Sequence, residues 1–141
     1  MIDSRTVPFA ALVLRVTMGA LFLAHAWLKI AVFTPAGTAA FFGKLGLPPA
    51  LAYVVIAAEA LGGLALILGV WTRVVALAFI PILIGAIVTA HSTAFFFSAP
   101  GGGWEFPAFW AIALVVQALI GDGAYALRAT PAIGRFVQVP T

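Results

Sequence analysis

"PFAALVLRVTMGALFLAHAWLKIAV", residues 8–32, decides the fold. A membrane helix needs about 20 mostly apolar residues, and this run exceeds that length. It also carries Arg15, His25 and Lys29, and it shows no small-x-small cleavage site before the next loop. It therefore reads as a mature helix and not as a signal peptide. Three further windows of the same kind follow at Ala50–Trp71, Val74–Phe96 and Pro107–Leu127. The expected fold is all-α: an integral membrane four-helix bundle forming a single domain over residues 1–141.

Composition agrees with that frame. Of 141 residues, 65% are hydrophobic and 8% charged, where a soluble chain has about 45–50% and about 25%. The net charge of +3 comes from scattered residues, with no run of Lys or Arg to neutralise phosphates, so nucleic acid is not an expected partner. With no cysteine in the chain, disulfides, thiolate nucleophiles, iron–sulfur ligation and CxxC redox chemistry are excluded. Any redox role must use a bound cofactor or substrate.

The connections have their own signals. "TPAGTAAFFGKLGLPP" (34–49) opens on Thr34 and Pro35, suited to a cap and first helical position, and closes on Gly46 and Pro48. It reads as a short interfacial helix with Phe41 and Phe42 facing lipid or the bundle. "WTR" (71–73) is a tight link. "SAPGGGWEF" (98–106) is a glycine-rich loop before the fourth span. Trp27, Trp71, Trp104 and Trp110 read as interfacial anchors. Arg5, Arg73, Arg128 and Arg135 would gather on one side against Lys44, with Lys29 near the end of its span. Both termini are therefore expected in the cytoplasm.

An ionised side chain at a helix centre costs about 2.5–3.5 kcal/mol on insertion scales, so charges inside spans need partners. At 100° per residue, Arg15, Phe22, His25 and Lys29 share an arc of about 80°, and that face points into the bundle. On span two, Glu59, Gly63 and Arg73 share a face, and the pair Gly62–Gly63 lets another helix approach closely. Glu59 is the expected counter-charge for span one. Depth then gathers His25, Lys29, Glu59, His91 and Glu105 toward the outer half of the bundle as a polar pocket. Plainer readings stand beside this one. Arg15 with Glu59 also reads as a buried pair that fixes helix register, and Lys29 and Arg73 as snorkelling cations.

Two blocks carry a family resemblance: "LRVTMGALFLAHAWLKI" (14–30) and "KLGLPPALAYVVIAAEALGGLALILGVWTR" (44–73). With His91, "GGGWE" (101–105) and "GDG" (121–123), they make the chain resemble the DoxX family from about Leu12 to Leu127. It departs from that pattern where Trp27-Leu28 replaces a small residue and Gln, and at Ala126 and Arg128 near the end. The resemblance implies a small four-span bacterial inner-membrane protein, often an oxidoreductase or its subunit, linked to quinone tolerance and oxidative stress.

The functional expectation is a membrane redox component that binds a quinone or similar lipophilic compound. His25, Glu59 and His91 would exchange protons with it, and Arg15, Lys29 and Glu105 would contact it. Gly62, Gly63 and Arg73 are structural in this reading. No cofactor is built in. A haem held between His25 and His91 fits less well, because Lys29 and Glu59 do not suggest an apolar haem slot. No nucleotide motif such as GxGxxG is present, so electrons are expected from a partner redox subunit. The alternatives are a non-catalytic accessory subunit and a small-molecule carrier, which would need a homo-oligomer.

Overall fold

The computed structural model describes residues 3–131. Helix α1 covers Val7–Trp27 and runs on through a π-turn, Leu28–Val32. Next come α2 (Pro35–Lys44), α3 (Leu51–Leu68), α4 (Thr72–Thr89) and α5 (Glu105–Ile120). Three stretches are long and apolar enough to cross a membrane: Val7–Val32, Leu51–Leu68 and Thr72–Thr89. The protein is an all-helical membrane protein. The short helix expected between the first two spans is α2, and its N-cap is the expected one: the Thr34 hydroxyl accepts from Gly37 N at 3.1 Å.

The two later spans are shorter than the apolar windows suggest. α4 ends at Thr89, because residues 90–104 fold into a loop tied by Trp104 N to the Ala94 carbonyl and Glu105 N to the Phe95 carbonyl. α5 ends at Ile120, where Gly121 takes φ +104°. At about 1.5 Å per residue it is about 24 Å long, less than the bilayer's hydrocarbon thickness.

Large apolar residues face outward on every long helix, among them Val13, Leu61, Val88, Ile112 and Leu119. Such a surface is stable against hydrocarbon and not against water. Inside, α1 lies along α3 and α4 along α5. Glycines set the first contact: a Cβ on Gly19 would come within 2.5 Å of the Gly63 carbonyl oxygen, and one on Gly63 within 2.9 Å of that of Gly19. Gly62, on the neighbouring face, admits the Phe79 ring of α4. Phe79 stacks on Phe22 (centroids 3.5 Å apart, 8° between planes), and Trp110 leans on Phe22 at 4.2 Å. Trp110 is thus a core residue, 3% exposed, and not the interfacial anchor expected.

Candidate functional site

Above this aromatic layer the bundle opens. A cavity of about 400 Å³ lies between the C-terminal halves of α1 and α4 and the N-terminal halves of α3 and α5, roofed by α2 through Phe41 and Phe42. A second chamber of about 510 Å³ lies beyond it, between α2, the π-turn and the loop at Gly101. His25, Lys29, Phe41, Phe42, Ala90 and His91 border both.

The charged feature of the inner chamber is an ion pair. Lys29 Nζ donates to Glu59 Oε1 at 2.9 Å and to Oε2 at 2.8 Å, with the two side chains 18% and 6% exposed. Lys29 therefore turns inward and does not snorkel. The π-turn helps to place it there. Phe33 N reaches five residues back to the Leu28 carbonyl at 2.8 Å, so the helix widens where Lys29 leaves it. Thr38 of α2 packs on this turn, its hydroxyl 2.9 Å from the Thr34 carbonyl and 3.3 Å from that of Lys29.

The histidines are held in one tautomer each. His25 Nδ1 faces the Leu21 carbonyl at 2.9 Å, and His91 Nδ1 faces the Gly101 carbonyl at 3.1 Å. A carbonyl only accepts, so each Nδ1 carries the hydrogen, and the neutral ring keeps its lone pair on Nε2. Both rings therefore carry a proton acceptor, on residues that line the same cavity as Glu59 and Lys29.

Two residues expected at this site lie elsewhere. Glu105 caps its own loop, its Oε1 accepting from Phe97 N at 3.0 Å. Arg15 lies in the N-terminal half of α1, about 20 Å from Lys29 at 1.5 Å per residue, and it does not pair with Glu59. Its guanidinium donates to the carbonyls of Leu66 and Ile67 on α3 and, at 2.8 Å, to that of Ala124. Carbonyl oxygens at a helix C-terminus lack intrahelical donors, and a cation there completes them. Arg73 acts alike, donating to the Ala118 carbonyl of α5 at 2.9 Å.

Sequence reasoning missed the residue that organises that end, Asp122. Its carboxylate accepts from Thr72 N at 3.0 Å, from Thr130 N at 3.0 Å and from the Thr130 hydroxyl at 2.7 Å. Trp71 offers α4 no capping side chain, so Asp122 caps that helix from fifty residues away. Partial burial pushes the Asp122 carboxyl up, but hydrogen bonds from Thr130 and Thr72 outweigh it and hold it below the usual aspartate range. Gln117, fully buried, donates to the Gly121 carbonyl at 2.8 Å and steadies the same turn.

These features sit in a membrane helical bundle with a charged, histidine-lined cavity at one end. The chain belongs to the DoxX family, whose profile matches residues 10–92. That stretch holds α1 to α4 with His25, Lys29, Glu59 and His91. A Bacillus subtilis (strain 168) protein named "Putative oxidoreductase CatD" is 36% identical over 124 residues, which is 88% of each chain. No solved structure matches the chain.

Proposed function

We propose that the protein is a redox component of the bacterial plasma membrane and that its inner chamber holds a quinone or a similar small lipophilic redox compound. The observation that carries this reading is the Lys29–Glu59 pair at the wall of a mostly apolar cavity that His25 and His91 also line, each ring held through Nδ1. A volume of about 400 Å³ lies within the range of about 300–1,000 Å³ usual for ligand sites. The kinship with a protein named as an oxidoreductase points the same way.

In this reading a quinone takes two electrons from a partner redox subunit and two protons from the site to become a quinol. Lys29 stabilises negative charge as it develops on a quinone oxygen. His25 and His91, once protonated from the outer chamber, deliver the protons, and Glu59 holds the ammonium in place until the oxyanion competes for it. α5 makes the fourth crossing, and both termini lie in the cytoplasm.

The test is extraction of small molecules from protein purified in mild detergent, wild type against His25→Ala/Glu59→Gln. A quinone carried by the wild type and depleted at least tenfold in an equally folded variant is the expected result. Equal amounts of bulk lipid and no quinone in both would overturn the reading and leave an accessory subunit in its place.

A further inference from the structure

Resting on the reading that the inner chamber binds a ligand, we infer that this ligand enters sideways from the bilayer through a cleft between α3 and α4. Its polar head then meets the Lys29–Glu59 pair while an apolar tail stays outside among the lipid chains.

The cleft follows from how the two helices diverge. α3 and α4 are joined by the short link at Gly69–Trp71 and touch where Gly62 admits the Phe79 ring. Beyond that contact they part, and the chamber lies between them. Leu51 on α3 and Pro81 and Gly85 on α4 line the chamber, and all three are exposed. A chamber wall exposed to this degree between two diverging helices marks a mouth.

The mouth lies at hydrocarbon depth. Gly85 is four residues short of the end of α4, and Pro81 is at its middle, so the opening spans the outer half of an apolar helix at about 1.5 Å per residue. Its rim carries no charge, which suits an apolar tail and not an ion. The other way in, through the outer chamber, passes Lys29, Thr38 and His91, so a tail leaving that way would run past a charge and two polar groups. Size divides the ligand between the two media. About 400 Å³ takes a substituted ring and the first carbons of a tail, so a long tail extends beyond this chamber, and the uncharged mouth is the exit that suits it.

Gly85 makes the idea testable. A Cβ built there meets nothing within 4 Å, and the residue sits on a helix, so a larger side chain can be added without a backbone clash. Wild type, Gly85→Ala and Gly85→Phe are placed in lipid nanodiscs and titrated with a decyl-substituted benzoquinone and with its tail-less parent. Retained quinone is measured after extraction, and helicity by circular dichroism serves as the control for folding. The expected result has three parts. Wild type and Gly85→Ala hold the decyl compound at least tenfold more tightly than the parent. Gly85→Phe loses that advantage. Binding of the parent, whose ring reaches the ion pair from either side, changes less than twofold. If wild type binds both compounds and Gly85→Phe leaves the decyl preference intact, the sideways entry is overturned and the ligand reading survives. If wild type binds neither, the ligand reading itself fails, and the inference with it.

Discussion

The two ends of the bundle use charge in opposite ways. At the link end, Arg15, Arg73 and Asp122 are each tied to backbone groups: carbonyls at or just beyond helix ends for the cations, and the N–H groups of Thr72 and Thr130 for the carboxylate. The segment after α5 is drawn in by the same contacts. Ala124 N donates to the Pro8 carbonyl at 2.9 Å, Leu127 N to that of Leu68 at 3.1 Å and Trp71 N to that of Arg128 at 2.9 Å. At the cavity end, Lys29 and Glu59 hold each other and face open volume. A charge bound to backbone completes structure that would otherwise be unsatisfied. A side-chain pair beside a void leaves both groups free to exchange partners, and that difference separates a clasp from a site.

Four changes sharpen or break this contrast. The largest effect is expected for Glu59→Ala, which strands the Lys29 ammonium. Losing one member of a buried pair costs about 3–5 kcal/mol, here toward the lower figure because Lys29 keeps 18% exposure. Thermal unfolding in detergent should show it, and Lys29→Met in the same chain should restore much of the loss. An unchanged midpoint in the single variant would mean that the pair is not buried against its surroundings.

Arg15→Met comes next, at about 2–3 kcal/mol for hydrogen bonds from a cation to three carbonyls. Its distinctive mark is location. Limited proteolysis should open near residues 124–130 while quinone retention stays at the wild-type level. Cleavage elsewhere, or lost retention, would erase the division between the two ends.

Asp122→Asn removes a charged cap for about 1 kcal/mol, discounted because the residue is partly exposed. The pH dependence has a definite sign. The folded carboxyl is held below its unfolded value, so its contribution is full above about pH 4 and fades as pH falls through the folded value. Protection of the Thr72 and Thr130 amides, taken relative to intrinsic exchange at each pH, should fall on acidification in the wild type and lose that dependence in Asp122→Asn. The smallest effect, below about 1 kcal/mol, belongs to Glu105→Gln, which weakens the acceptor for Phe97 N and leaves ligand retention unchanged.

The cavity end was more legible in the sequence than the link end, and the reason is range. His25 and Lys29 share a face by helical periodicity, and Glu59 is the acid of span two at a matching depth, so spacing alone brings the three together. Asp122 works through Thr72 and Thr130, and no local pattern announces a cap supplied across fifty residues. The flanking glycines were the available signal: Gly121 and Gly123 both take positive φ, which makes "GDG" a shaped turn. The plainer reading that joined Arg15 to Glu59 rests on a shared bearing and fails on height, because Lys29, about 20 Å further along the helix, holds that carboxylate. Trp110 was misjudged because a tryptophan near a span end suits a lipid interface and a core equally well by sequence.

The π-turn at Leu28–Val32 has a consequence for the length of the chain. A turn of this kind holds one residue more than the helix around it needs, like an insertion absorbed without ending the helix. Removing one residue from 28–32 would let the helix close as an ordinary α-turn. Everything up to Trp27 would stay in register, and α2 would swing by about 100° around the axis. Phe41 and Phe42 would leave the roof of the chamber, while the Gly19–Gly63 crossing and the Asp122 clasp would keep their partners. A single-codon deletion would thus unroof the chamber of an otherwise intact bundle, so change in chain length at this point acts on the cavity and spares the fold.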